Sequence, residues 1–488
     1  MRSAIIDIGY NAIRAVVYER DSLGAPEIFN DKFKSDIPSL LEMEDIDVKH
    51  QTYLSLKYLI HIFNQLSVTT IKCVATAALR GHPRTAEFKQ LIKQKFNIEI
   101  DVISGDREAY LTAAGLLSGI NDAHGIAADL GGGSLELASI ANKEVGSLKS
   151  LPLGTKVISA NNLDNLEIIT NIIRTEFGTF HYPNLYLIGG AFRLIGRLYM
   201  DFVHYPLKNL HNLEIPRADF EIYLEKLDHI RRIKPVYEQR KIDSNAILVA
   251  KAMLDVFSSE KVIISNYGLK EGVRFISLPR GEQEKDIVYE RVKALVKLDD
   301  NICKLDQYSA VIADLLIKPD ATTSDIVKLA IMLAHFNKNI DKTLRANFAV
   351  EFILASDIPF SHRQRIMLSL SLACAYNSKS DLYINRLAKR MISKQDYCNS
   401  QIIGNFIKIT KEVDGPEFHI PSFSLHLKDK YIEISTAEIL PRVIFGKVCE
   451  RLKDIAFARK TAQYYTPYSY KNYIAPPLDT YTNSISKE

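Results

Sequence analysis

The chain has 488 residues, of which 47% are hydrophobic and 25% charged, with a formal net charge of +4. That length exceeds what one core can hold, so about two to four domains are expected. So small a charge excludes a global polyanion field, and no specific nucleic-acid partner is expected. No run of about 18 apolar residues marks a membrane span. The cysteines Cys73, Cys303, Cys374, Cys398 and Cys449 are scattered without a CxxC pair. That argues against a disulfide framework and against a zinc knuckle. The N-terminus places Asp7 inside its first apolar stretch and lacks a cleavable signal pattern, so a cytoplasmic location is expected.

Taken in order, Ile5 and Ile6 lead into Asp7, then Gly9, Tyr10 and Asn11, then Ile13, Ala15 and Val17 in alternation. The pattern predicts strand, Asp-x-Gly turn, strand. Asp47–Leu66 carries Tyr53, Leu54, Leu56, Leu59, Ile62, Phe63 and Leu66 on one broad apolar face, a helix by period. Ile71–Ala75 reads as a buried strand running into Thr76-Ala77-Ala78-Leu79-Arg80, a helix start with Arg80 in its first turns. Arg80 there is either a surface arginine or a bidentate partner for phosphate. A helix over Ala86–Phe96 and a strand over Ile98–Ile103 follow. Ser104-Gly105 then opens a helix over Asp106–Ile120, with Glu108 in its first turn. Glu108 complements the helix dipole there, or it is a carboxylate set at a strand's end to orient water.

The stretch Gly125–Ile140, GIAADLGGGSLELASI, repeats the N-terminal device. Ile126, Ala127 and Ala128 lead to Asp129, the turn Gly131-Gly132-Gly133-Ser134 follows, and Leu135 and Leu137 resume the alternation. Three glycines allow close backbone approach, and successive free N–H groups make an anion nest. Asp129 would repel a phosphate unless it held a metal ion that the phosphate shares. The alternative is a glycine-rich hairpin turn with a capping aspartate. Two such hairpins facing across a cleft would grip a phosphate chain from both sides. Leu153-Gly154-Thr155-Lys156 reads as another turn, with a hydroxyl and a cation. A helix over Leu163–Phe177 precedes a strand, Leu185–Ile188, that ends in Gly189-Gly190 before a helix over Phe192–Met200. Those glycines serve close helix–strand packing or offer a helix N-terminus to an anion. Helices over Glu221–Arg232 and Asn245–Phe257, a strand over Val262–Ser265 and a helix start near Glu271 complete an α/β alternation.

From Asp286 onward helix periods dominate, over Ile287–Val296, Ser309–Ile317, Ile326–Phe336, Leu344–Ala355 and Arg365–Tyr376. Short strands are expected at Phe423–Leu427 and Tyr431–Ser435, and Tyr464–Glu488 reads as a surface-clinging or disordered polar tail. The expected domains are 1–120, 121–285 and 286–463, with 464–488 as the tail.

Together these elements resemble the exopolyphosphatase/guanosine pentaphosphate phosphohydrolase (Ppx/GppA) phosphatase family. The matching segments are DIGYNAIRAVVYE (7–19), VATAALR (74–80), ISGDREA (103–109), ADLGGGSLEL (128–137), SLPLGTKVI (150–158), LIGGAFRLIGRLYM (187–200) and SNYGLKEGV (265–273). They match in order and spacing. The resemblance implies an α/β fold of two ribonuclease-H-like lobes, of the actin-like ATPase and sugar-kinase-like kind, with the active cleft between them. A mainly helical, degenerate HD-like C-terminal domain would follow. By position the resemblance implies Glu108 as the glutamate that activates the attacking water. It implies phosphate binding by Asn11, Arg80, Gly131, Gly132, Gly133 and Ser134, and Mg²⁺ near Asp7, Asp129 and Glu136. The implied activity is Mg²⁺-dependent hydrolysis of the terminal phosphate of inorganic polyphosphate. Guanosine pentaphosphate is the alternative substrate, and a non-catalytic polyphosphate or alarmone sensor the alternative class.

The chain departs from the family pattern in several places. The family's first loop reads Asp-x-Gly-Ser-Asn-Ser, and Tyr10 and Ala12 stand at its two serine positions. Gly81-His82-Pro83-Arg84 replaces a polar stretch with an asparagine, and Leu135 replaces a threonine. In the helical region no adjacent His-Asp pair occurs around His335, and Asp341 and His362 by spacing are helix-surface or core residues. That region is expected to do no metal chemistry, and to extend the substrate channel or form a homodimer contact. Lys208, Arg231, Arg232, Lys234, Arg240 and Lys241 line a basic channel or form a solvated face.

Overall fold

The apolar runs that lead into Asp7 and Asp129 are the central strands of two sheets. In the computed structural model the chain is described over residues 1–10, 12–43, 49–233, 243–297, 305–336, 340–376, 383–415, 421–428 and 431–463. It forms two compact units: 1–199 with 209–291, and 200–208 with 292–488.

In the first unit, β1 (Arg2–Ile8), β2 (Ala12–Tyr18), β3 (Glu27–Lys34), β4 (Val68–Ala75) and β5 (Ile100–Val102) form one sheet in the order β3-β2-β1-β4-β5. β1, β2 and β3 are antiparallel neighbours, and β4 and β5 run parallel to β1. The second sheet contains β6 (Gly125–Leu130), β7 (Leu135–Ala141), β8 (Glu144–Leu151), β9 (Asn184–Ile188), β10 (Leu213–Pro216) and β11 (Lys261–Ile264). Its order is β10-β11-β9-β6-β7-β8. Apart from the antiparallel edge strand β10, this repeats the first sheet's order and strand directions. The unit is thus a pair of ribonuclease-H-like lobes.

Strand alternation explains where the two aspartates point. Ala4, Ile6 and Ile8 pack with Leu56, Leu59 and Phe63 of the helix Gln51–Gln65. Ile5 faces the opposite way, onto Leu111 and onto Leu269 and Val273. A strand buried on both faces reads as a continuous apolar run. Asp7, two residues on, shares the face of Ile5. In the second sheet Ala127 packs with Ala113 and Leu116, and Asp129 shares its face. Leu111, Ala113 and Leu116 belong to one helix, Gly105–Gly119. That helix therefore lies between the sheets, and both aspartates point toward the layer it occupies.

The second unit is helical, with helices at Leu305–Ile312, Ala321–Phe336, Arg345–Ala355, His362–Ala375, Tyr383–Met391, Lys394–Val413 and Arg442–Gln463. A hairpin of β12 (Phe423–Leu427) and β13 (Ile432–Thr436) is added. Arg365 is buried in this unit, donating to the carbonyls of Ile353 and Ile358 at 2.6 Å each. Asp341 accepts from Thr343, and His362 Nδ1 is 2.7 Å from the Tyr205 hydroxyl. The HD-like character expected here is not established by these features. The expected tail, 464–488, lies outside the described residues.

Several local expectations are corrected. Thr76–Arg80 is a turn rather than a helix start, with the Leu79 and Arg80 amides donating to Thr76 O. Pro83 holds the residue before it out of helical geometry, and the helix begins only at Thr85. Thr155 and Lys156 sit in a short helix, Thr155–Ala160, rather than in a turn.

Candidate active site

Register places the functional side chains in two rows. In the first sheet Asp7 lies opposite Arg14, and Arg14 opposite Lys32. In the second Asp129 lies opposite Glu136, and Glu136 opposite Ser150. Residues directly opposite share a face of the sheet. Each lobe thus carries an aspartate at the end of its first strand and a charged residue seven positions later. One lobe's row continues with cations, and the other's with a carboxylate and a hydroxyl. Asp7, Arg14, Lys32, Asp129, Glu136 and Glu108 all line a cleft of about 380 Å³.

The glycine turn forms part of that wall. Its Gly131 amide closes the turn on Ser134 O at 3.0 Å. The carbonyls of Gly131 and Gly132 accept from the first amides of the helix Thr155–Ala160, Thr155 N at 3.1 Å and Lys156 N at 3.0 Å. The amides of Gly132, Gly133 and Ser134 have no hydrogen-bond partner among the described residues. A Cβ on Gly154 would lie 2.2 to 2.4 Å from backbone atoms of Gly132, Gly133 and Ser134, so only glycine lets the turn sit so close. Lys156 Nζ lies 4.5 Å from the centre of the Tyr10 ring, the ring at the family's first serine position. Asn11 lies outside the described residues.

Glu108 is placed by its helix. Ser104 caps the N-terminus by accepting from Arg107 N, which brings Glu108 to the cleft in the first turn. Its carboxylate receives Arg80 Nη2 at 2.5 Å, with side-chain exposures of 12% and 31%. Arg80 Nε also donates to Ile103 O at 3.1 Å. The structure places Arg80 beside Glu108, not among the residues that line the cleft.

The acids crowd one another. Burial first, then the charge of Glu136, pushes the Glu108 carboxyl well above its ordinary value, against the pull of Arg80. Glu136 is raised to about 7 by burial and by Asp129, while Ser134 and Ser150 hydroxyls oppose the shift. Asp7 is raised to about 6, mainly by burial, with Arg14 opposing. Asp129 is raised by burial and restrained by Arg193 and Arg14, and Thr112 donates to it at 3.4 Å. Among the described residues no three His, Cys, Asp or Glu side chains converge into a metal-binding group. Magnesium needs only one or two carboxylates when water and substrate phosphate complete its shell. Two buried aspartates with oxygen donors and raised pKa values fit that role.

The structure adds cations that no single motif announces. Arg14, Lys32, Arg193 and Lys270 line the cleft. Arg14 lies opposite Lys32 and Arg193 lines the same cleft, and burial first, then these two cations, lowers the pKa of Lys32. Lys270 is 2.8 Å from Glu271 and holds that carboxyl below its ordinary value, against the opposing effect of burial. Arg14, Arg193 and Lys270 fall in the matched segments, yet each is one cation without a periodic signal; only the folded strand Ala12–Tyr18 and the helices Gly190–Phe202 and Leu269–Phe275 bring them to one cleft. Of the expected basic channel, Lys208 belongs to the second unit, Lys234, Arg240 and Lys241 lie outside the described residues, and the side chains of Arg231 and Arg232 are not described.

Two ribonuclease-H-like lobes enclosing a glycine-turn cleft with paired aspartates define a phosphate-handling class of protein. Residues 17–281 match the model of the Ppx/GppA phosphatase family, and the chain belongs to that family. A bifunctional 3-dehydroquinate synthase/phosphatase from Fusobacterium nucleatum is 24% identical over 296 residues, 54% of this chain and 44% of that protein. The chain thus spans less than half the length of that curated relative. Among solved structures, the PPX-GPPA enzyme of Aquifex aeolicus is 19% identical, with a TM-score of 0.49 over 56% of this chain and 98% of that one. An exopolyphosphatase of Cytophaga hutchinsonii is 20% identical, with a TM-score of 0.49 over 57% and 97%. Among the described residues no helix is long and apolar enough to cross a membrane.

Proposed function

We propose that the protein is a cytoplasmic exopolyphosphatase that removes the terminal phosphate of inorganic polyphosphate. The observation that supports this most is one cleft holding both the open amides of Gly132, Gly133 and Ser134 and the carboxylate of Glu108. The amides are donors for a phosphoryl oxygen, and they are fixed before substrate arrives. Glu108 orients a water and takes its proton as the water oxygen bonds to phosphorus. The bridging P–O bond breaks, and its electron pair leaves on the shortened chain. Arg14, Lys32, Arg193 and Lys270 balance the charge of the phosphates that remain. Asp7 and Asp129 are the carboxylates that would hold Mg²⁺, with Glu136 beside Asp129, and the ion when bound would draw charge from the phosphoryl oxygens. The raised pKa of Glu108 makes it a stronger base than an ordinary glutamate.

The test is phosphate release from long-chain polyphosphate and, in parallel, guanosine pentaphosphate, with and without Mg²⁺. Glu108→Ala serves as the control. Mg²⁺-dependent release from polyphosphate, lost by about 10²- to 10⁴-fold in Glu108→Ala, is the expected outcome. Release from the nucleotide alone moves the assignment to an alarmone hydrolase. Binding of either without release by the unmodified protein overturns the enzyme reading and leaves a sensor.

A further inference from the structure

Arg193 reaches the cleft from the first turn of the helix Gly190–Phe202. Its guanidinium is held by two backbone carbonyls, Nε to Gly189 O at 3.1 Å and Nη1 to Asn266 O at 3.2 Å. These carbonyls lie just past the ends of β9 and β11, at the cleft's edge. Gly189 takes φ +92°, and a Cβ there would lie 2.5 Å from Asp129 Oδ1, so only glycine turns its carbonyl to Arg193 beside that carboxylate. Nη2 has no hydrogen-bond partner among the described residues. Around it stand Arg14 and Lys32 as like charges, with Asp129 and Glu271 opposing. Neutral carbonyls orient a guanidinium without neutralising it, and a third N–H group at a cleft lined by Arg14, Lys32 and Lys270 is a donor waiting for an anion.

We propose that Arg193 contacts the substrate's phosphate and that His211, which does not line the cleft, is its positioning residue. The proposal rests on reading the cleft as phosphate-binding. His211 is buried, and its Nδ1 accepts from the Asn266 amide at 3.3 Å. The imidazole packs on the Tyr267 ring, with centroids 4.7 Å apart and an interplanar angle of 34°. The Tyr267 amide in turn donates to Ser265 Oγ at 3.0 Å. Asn266 is thus fixed from outside the cleft through its N–H, and its C=O is aimed at Arg193. Without the acceptor on His211 the Asn266 N–H loses the protein partner that fixes it, and this exposed loop residue is free to turn its N–H to water instead. Arg193 then loses one of its two anchors.

The experiment pairs His211→Leu with His211→Asn. The two replacements are close in size, but only asparagine offers an acceptor where Nδ1 was. KM for polyphosphate and the Kd of inorganic phosphate by calorimetry are measured for both, alone and combined with Arg193→Ala. Arg193→Ala raises both constants about tenfold or more. His211→Leu raises both severalfold with kcat little changed, His211→Asn restores them, and neither adds to Arg193→Ala. Additive losses, or equal values for His211→Leu and His211→Asn, overturn the positioning role. An unchanged phosphate Kd in Arg193→Ala overturns the contact itself. If the unmodified protein binds phosphate but does not cleave polyphosphate, the substrate reading falls, and the calorimetric comparison still decides this one.

Discussion

Replacing Glu136 by glutamine is predicted to change how stability depends on pH. Glu136 is held at about 7 against an ordinary 4.5, because it is buried beside Asp129. Between those values the folded protein keeps a proton that the unfolded chain has released. The native state therefore binds more protons across that window, and its stability falls as pH rises through it. The loss is absent below about pH 4.5 and complete above about pH 7, where it reaches about 3 kcal/mol. Glutamine keeps an oxygen for the Ser150 hydroxyl, which donates to Glu136 at 2.9 Å, but it cannot ionise. The variant should match the unmodified protein near pH 4.5 and exceed it near pH 8. Urea unfolding with chelator present, followed at several pH values, reads the difference. Parallel curves for the two proteins, or a variant that is weaker at pH 8, would refute the electrostatic account.

Other expectations follow from the same geometry. Arg80→Ala removes the cation that stabilises ionised Glu108, so the acid limb of the pH–rate profile should move to higher pH; a stationary limb would separate Glu108 from catalysis. Gly154→Ala drives a Cβ into the backbone of the glycine turn. It should cost about 1–3 kcal/mol in thermal unfolding and most of the phosphate release. Gly281→Ala, where a Cβ meets nothing within 4 Å, is the neutral control. Arg365→Ala removes two charge-assisted bonds to the carbonyls of Ile353 and Ile358, which keep only Ser356 Oγ and the Phe360 amide as donors among the described residues, and this should weaken the helical unit by about 2–5 kcal/mol. Loss of helical circular dichroism at lower urea would show it.

Elements whose local chemistry agrees with their burial could be read from sequence. The hairpins at Asp7 and Asp129 announced themselves by an apolar run ending in an acid and glycines, and Ser104 marked the start of the helix that carries Glu108. The strands missed were edge strands. β3, EIFNDKFK, and β8, EVGSLKSL, each close one side of a sheet and carry charge on exposed faces, so neither shows a clear apolar period. β10 is only four residues long. The helix Lys394–Val413 was hidden differently, since Asn399, Ser400 and Asn405 are buried in it. The glycine turn, Asp129 and Glu108 were visible as motifs. The row of Arg14 and Lys32 was not, because it exists only once β1, β2 and β3 have paired.

The carbonyls of Gly131 and Gly132 have a consequence for how tightly a substrate can be held. Because both are already occupied by the amides of Thr155 and Lys156, the turn's shape is set when the chain folds. A glycine-rich loop ordered only by its ligand would lose its conformational entropy at every binding event, about 1–2 kcal/mol for each residue fixed. Here that entropy is lost once per folding event, and turnover after turnover meets a rigid cradle.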